Sequence, residues 1–284
     1  MDKDQKNGTS ILAESAQKVL ELLGEEVKTI SVERVVLGLF FTGVSLSDGS
    51  GGICFTPIKM IPDAVCCPSS AKAMPNSGRM RGKPAVELLD DLDSENPLKK
   101  TIAIAGLNAL TERCWRRGLM NEFELIMDAD PLDDVEIPAG SFTVIVGALL
   151  PYIKMLKKNQ LDYAILELDP RTLREEELPH FVPVERQSDV IPKANFLLIT
   201  GTTLLTDSLE AILALCKPSA EVIVVGPTAS IHPQALFERG ATRLGGIRVS
   251  DADGLLDILC EGGSGYHFYG KFAHKSVIRC KKSS

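Results

Sequence analysis

Apolar positions divide the chain into an irregular first part and a regularly alternating second part. Near the start, Leu12, Ala16, Val19, Leu20 and Leu23 recur at helical spacing on one face. With Thr9 or Ser10 as N-cap and Gly24 as C-cap, they predict an amphipathic helix over 11–24. Residues 35–44 read as one strand with a glycine bend. Asp48-Gly49, inside 45–52, signals a hairpin turn back into a strand at 53–55. A loop-rich stretch covers 57–84, and the acidic run 87–95 reads as a solvated face. A second helix is predicted over 101–118, apolar on Ile104, Leu107 and Leu110. Arg116 and Arg117 at its end complement the negative pole of the helix dipole.

From Ser141 onward short apolar runs alternate with helical stripes. Strands are predicted at 142–146, 163–168, 196–199, 222–225 and 242–244. Helices fall through Ile153 and Leu156, after Asp207, over 233–239 and over 251–260. The centre of this pattern is Asn195–Pro227, a strand, helix and strand in about thirty residues, the length of a βαβ unit with a right-handed crossover. Asp207 stands three residues before Glu210, the spacing of a capping box. The fold class is therefore α/β, a small α+β part followed by a doubly wound parallel sheet.

Open parallel sheets bind ligands beyond the carboxyl ends of their strands. Two such ends lie in the central unit: Thr200, Gly201, Thr202 and Thr203 after the first strand, Gly226 and Pro227 after the second. They are equally readable as plain turns. A dinucleotide site needs G-x-G-x-x-G after the first strand and an acid about twenty residues on. Gly147 and Glu167 have that separation, but Leu149 and Tyr152 replace the later glycines. A nucleoside such as S-adenosylmethionine needs no pyrophosphate cradle, and Glu167 or Asp169 could hold its ribose. Asn108, set among Leu107, Ala109 and Leu110, is costly if buried without partners. It is either a cleft-facing amide or a structural tie to a neighbouring loop.

Metal-ligand spacing is poor. Cys66 and Cys67 are adjacent and would face opposite sides of an extended chain. His267, His274 and Cys280 match no standard site, and the acids of 128–136 lack EF-hand spacing. Ser69 and Ser70 read as turn residues, with no G-x-S-x-G present.

Composition narrows the classes. A length of 284 residues exceeds the usual single domain, and 44% hydrophobic content supplies ample core. A net charge of −7 argues against nucleic acid and anionic membranes as partners. The polar start lacks a signal peptide's apolar segment, and seven cysteines at irregular spacing fit reduced thiols in a cytoplasmic protein.

The chain also resembles the putative heavy-metal chelation family. In the first half the resemblance rests on Gly38, the Asp48-Gly49 hairpin and Ala105 to Leu110. In the second it rests on Ile199 to Leu204, Val224 to Thr228, Phe237 to Gly240 and Leu244 to Gly246. It implies an enolase-N-terminal-like domain, here 1–120, followed by a Rossmann-like domain, here 141–284; the acid- and proline-bearing stretch 121–140 reads as the linker between them. The resemblance further implies an interdomain cleft lined by Asn108, Thr200, Gly201, Thr202, Thr203, Gly226 and Pro227. The expected ligand is a small polar molecule, with a metal ion or a nucleoside as cofactor. The expected role is synthesis or processing of a pterin- or siderophore-like chelator, or non-catalytic carriage of a metal or metallophore. A homodimer is compatible with these expectations.

Overall fold

The structure, a computed structural model, describes residues 9–61 and 76–281. Cys66, Cys67, Ser69 and Ser70 lie outside the described residues. Among the described residues no helix is long and apolar enough to cross a membrane.

Helix α1 (Ile11–Leu23) forms as its pattern predicts. The Ser10 hydroxyl accepts the Ala13 N–H at 3.2 Å, and Gly24 closes the helix at φ +52°. Strands β1 (Val32–Leu37), β2 (Phe41–Leu46) and β3 (Gly51–Phe55) make an antiparallel sheet in that order. The single strand expected over 35–44 is thus two strands. The chain reverses at Gly38, whose N–H bonds the Phe41 carbonyl at 3.1 Å, and a Cβ there would stand 2.6 Å from that oxygen. The second reversal is the predicted one, with Gly49 at φ +80° and the Asp48 carboxylate accepting the Ser50 N–H and hydroxyl.

Helix α2 (Pro97–Arg116) starts four residues earlier than expected, because the Asn96 side chain accepts the N–H groups of Leu98 and Lys99. It is buried almost all round rather than on one stripe. Gly52 of β3 lets the sheet lie directly on this helix. A Cβ at Gly52 would sit 2.3 Å from the Ala109 nitrogen and 2.4 Å from the Ala105 oxygen.

The stretch expected as a linker holds a strand, β4 (Phe123–Met127). The alternating region follows as β5 (Phe142–Val146), α3 (Leu150–Lys158), β6 (Asp162–Glu167), β7 (Phe181–Pro183), α4 (Gln187–Val190) and β8 (Phe196–Thr200). It continues as α5 (Leu209–Ala214), β9 (Glu221–Val225), α6 (Gln234–Glu238), β10 (Arg243–Val249), α7 (Ala252–Cys260), α8 (Gly265–Phe268) and β11 (Ala273–Cys280). The eight strands of the large sheet lie in the order β4-β11-β10-β9-β8-β5-β6-β7, and β11 alone is reversed. The fold is the predicted α/β class. Four strands exceed the prediction: β4 and β7 fall in stretches without a predicted strand, β10 runs on through Gly245-Gly246, and β11 follows the last predicted helix.

The expected capping box at Asp207 and Glu210 does not form. Helix α5 begins after Ser208 without a side-chain cap. Asp207 takes φ +54° and pairs with the buried Lys100 of α2, while Glu210 accepts the N–H of Ile11 at the start of α1. Both acids serve helices from the first half of the chain.

The two parts share one core. Leu12, Ile104 and Leu107 belong to the same apolar cluster as Ile199 and Val224. On its other face the small sheet receives α7: a Cβ at Gly43 would meet the Leu259 and Leu256 side chains at 2.8 and 2.9 Å. Glu112 of α2, 5% exposed, accepts both Nε and Nη2 of Arg248 on β10, whose guanidinium lies over the Trp115 ring.

Gly52→Ala should cost about 3 kcal/mol or more in urea unfolding, because backbone on both sides blocks relaxation. His232 gives a pH prediction. It is fully buried, and burial pushes its pKa from 6.5 down to about 4. Between those values the unfolded chain binds a proton that the folded chain does not. Stability is therefore full above the upper value and falls toward the lower one, by up to about 3 kcal/mol. In His232→Asn the amide oxygen can take over the ring's acceptance of the Gln234 N–H. Urea unfolding should lose less stability between about pH 7 and pH 4.5 in this variant than in the parent chain.

Candidate functional site

Strands β5, β6 and β7 run outward on one side of the sheet and β8, β9 and β10 on the other. The order reverses between β5 and β8, where a crevice opens at the carboxyl ends. Two hollows flank the turn that follows β8. The first, of about 390 Å³, lies over the ends of β8, β9 and β10 and is roofed by Phe41 and Phe55 of the small sheet. The second, of about 400 Å³, lies over β5 and β6. Thr200 and Thr202 line both.

The turn is held by its own hydroxyls. Thr200 Oγ1 lies 3.1 Å from Thr202 Oγ1, and Thr203 Oγ1 donates to the Thr200 carbonyl at 2.7 Å. Gly201 fits against Ala229, whose Cβ and nitrogen would each be 2.9 Å from an added Cβ. Gly226 takes φ +116°, a conformation reserved for glycine, and its N–H bonds the Gly245 carbonyl at 2.7 Å. Gly201, Gly226 and Pro227 line the first hollow, and Thr203 lines the second.

Asn108 is placed differently from the cleft lining expected of it. It is 3% exposed and does not line the first hollow. Its Nδ2 donates to the carbonyls of Ile53 at 2.8 Å, Pro227 at 3.2 Å and Thr228 at 3.3 Å. Three carbonyl oxygens around one atom demand the amide nitrogen there, since an oxygen would be repelled. The side chain is a brace behind the cleft wall, joining α2, β3 and the turn after β9. Glu167 lines the second hollow, where its Oε1 accepts the N–H groups of Leu168 at 2.8 Å and Asp169 at 3.1 Å. Asp169 lines neither hollow. Hydrogen bonds from Arg171 and Lys59 hold its carboxyl well below the usual range and occupy both oxygens.

The first hollow also has a polar end built by residues the sequence reading did not select. The Tyr152 hydroxyl donates to the Asp130 carboxylate, 3.1 Å from each oxygen, and Lys275 Nζ lies 3.8 Å from Asp130 Oδ2. Burial, reinforced by Asp130, keeps Tyr152 protonated far above the ordinary phenol range. Burial likewise pushes Tyr269, under Lys275, up to about 12. Next to Lys275, Ser276 is 1% exposed, and its hydroxyl has no partner among the described residues. The run Ser276-Val277-Ile278 was a readable strand signal. Its place beside β4 was not, because that pairing joins residues about 150 positions apart in the chain.

These residues do not form a metal cage. Among the described residues no three His, Cys, Asp or Glu side chains converge. Burial holds Cys54 and Cys114 at about 12, as thiols rather than metal-binding thiolates. Of the tail residues whose spacing matches no standard site, His267 bonds Ser264 and His274 pairs with Asp128.

The fold and cleft define a Rossmann-like sheet closed on one side by a small α+β unit. The chain belongs to the family described as putative heavy-metal chelation. One family model with that description matches residues 130–278, and another matches residues 20–111. An uncharacterised protein of Methanocaldococcus jannaschii is 26% identical over 195 residues, 68% of this chain; the match spans 66% of that relative's length. A protein of unknown function from Pyrococcus horikoshii is similar in structure with a TM-score of 0.74 and 18% identity, over 95% of this chain and 100% of that one. Another, from Desulfitobacterium hafniense, has a TM-score of 0.64 and 20% identity, over 93% of this chain and 99% of that one. At these identities the structural likeness speaks to fold alone.

Asn108→Ala should destabilise the protein by about 2–4 kcal/mol, since it strands buried carbonyls from both parts of the chain. Asn108→Leu should recover little of that despite its similar volume. Unchanged urea midpoints in both variants would remove the brace.

Proposed function

We propose that the protein binds a small, flat, partly polar metabolite in the first cleft and acts in making or processing a metal-chelating compound of pterin or siderophore type. The observation that carries this reading is Ser276. A buried hydroxyl without a partner costs free energy in the empty protein, and a ligand in the adjoining hollow can supply the missing bond.

The surrounding chemistry supports the same ligand class. Phe41, Phe55, Tyr152 and Tyr269 give aromatic walls for a planar ring. A hollow of about 390 Å³ accommodates a small heterocycle. Lys275, the cation among the described lining residues, is balanced by Asp130 at 3.8 Å, so the polar end suits an uncharged hydrogen-bonding edge. Asp130 and the protonated Tyr152 offer an acceptor and a donor at that end. The protein's contribution to chelation, on this reading, is to a chelator rather than to the metal. The five described free cysteines are compatible with a cytoplasmic setting.

Thermal unfolding of the whole chain with neopterin, zinc(II) or nickel(II) tests the proposal. Neopterin is expected to raise the melting temperature and the bare ions are not, because a ligand of the native state alone stabilises it. Stabilisation by the ions without neopterin would favour a metal carrier and sink the reading. Ser276→Ala should leave the empty protein equally or slightly more stable, by up to about 1 kcal/mol, and weaken neopterin about threefold to tenfold. An undiminished neopterin effect in that variant would detach Ser276 from the site.

A further inference from the structure

The second hollow has a chemistry of its own. It sits on the opposite side of the Thr200–Thr202 turn from the cleft, over the first two strands of the Rossmann-like order. We propose that it is a binding site for a phosphate-free nucleoside, neutral or positively charged, with the ribose diol on Glu167 and the base against the apolar wall.

Phosphate is excluded by two independent features. The first is the start of α3, where a dinucleotide's pyrophosphate would need free N–H groups. Here the N–H of Leu149 bonds the Gly147 carbonyl at 2.8 Å, and that of Leu150 bonds Ala148 at 2.9 Å. Pro151 has none, and the N–H of Tyr152 bonds Leu149 at 3.0 Å. Leu149, Pro151 and Tyr152 border the first hollow, so a dinucleotide reaching from Glu167 toward α3 would find the N–H groups of Leu149, Leu150 and Tyr152 already bonded. The second feature is charge. The described lining contains Glu167 and Glu185 and no lysine, arginine or histidine. The neighbouring cations Lys59 and Arg186 are taken by Asp169 and Asp189.

What remains suits a nucleoside. Glu167 ends β6, the strand beside β5. The two backbone N–H groups on its Oε1 fix the carboxylate, and Oε2 receives no hydrogen bond from the described residues. A fixed carboxylate with one open oxygen at this strand end is an acceptor for a vicinal diol. Gly147 at φ +93° leaves no room for a side chain, since a Cβ would stand 2.7 Å from Thr200 Cγ2. Val146, Leu166, Val184 and Ile212 supply apolar surface, and Leu168 stands 72% exposed at the rim. A planar base can pack against this wall, with Leu168 at its edge. The two carboxylates also favour a positive centre such as a sulfonium over an anion.

Isothermal titration of the whole chain with adenosine, S-adenosylmethionine, 2′-deoxyadenosine, AMP and NAD tests this. Adenosine and S-adenosylmethionine should bind, with AMP, NAD and the deoxynucleoside each weaker by about tenfold or more. Glu167→Gln retains an oxygen for the Leu168 and Asp169 N–H groups, so it should fold. It should bind adenosine about tenfold more weakly and no longer distinguish it from 2′-deoxyadenosine. Absence of heat with adenosine and S-adenosylmethionine at millimolar concentration would overturn the proposal. So would AMP binding as tightly as adenosine, or Glu167→Gln binding like the parent chain. Ser276→Ala, which reports on the other cleft, should bind adenosine unchanged. Either site can thus fail without the other.

Discussion

The Asn108 amide is the interaction on which the rest of the arrangement depends. One nitrogen on α2 serves a carbonyl of the small sheet and two carbonyls of the turn after β9. It can do so because Gly52 brings β3 against the helix at backbone distance. Gly226 meanwhile holds the turn in a conformation open to glycine alone. A buried amide with satisfied donors fixes geometry more sharply than apolar packing, since its alternatives leave carbonyls unpaired in a dry interior. The cleft roof and the cleft floor are thereby set relative to one another.

That constraint shapes the chemistry. The two parts of the chain share a core, with α7 from the second part covering the small sheet from the first, and the Glu112–Arg248 pair adding a buried charge contact between them. The cleft is a fixed recess between interlocked elements. Its aromatic roof comes from one sheet, its threonine turn from the other, and its polar end from β11 and the stretch after β4. Such a recess recognises an organic ligand by shape and a few polar contacts. The family's description speaks of heavy-metal chelation, while the described residues provide no converging donor set. The two are reconciled if the ligand, rather than the protein, carries the donors.

Much of the fold was legible because it rests on local periodicity. The stripe of α1, the Asp48-Gly49 reversal and the βαβ unit from Phe196 to Val225 all follow from spacing and turn chemistry within about thirty residues. The threonine turn and Gly226 were legible as strand ends, and the structure sets them around the crevice. Glu167 stood out by its distance from Gly147, and the structure sets it on the second hollow. Asp169 carried the same signal, but its oxygens are filled by Arg171 and Lys59. Tyr152, Asp130, Lys275 and Ser276 carried no signal of a shared site, because nothing local says that they converge.

By itself, then, the sequence determined the order and type of most elements, the α/β class and the strand ends where a ligand can enter. Tertiary structure decided which residues meet there. Asp207 and Glu210 show the reason: spaced to cap their own helix, they instead serve Lys100 and the first N–H of α1. A buried ammonium and an open helix end offer a carboxylate more than a solvated N-terminus does, and those partners lie far away along the chain. Periodicity is set by neighbours in sequence, whereas polar partnership is set by whichever buried group would otherwise stay unpaired.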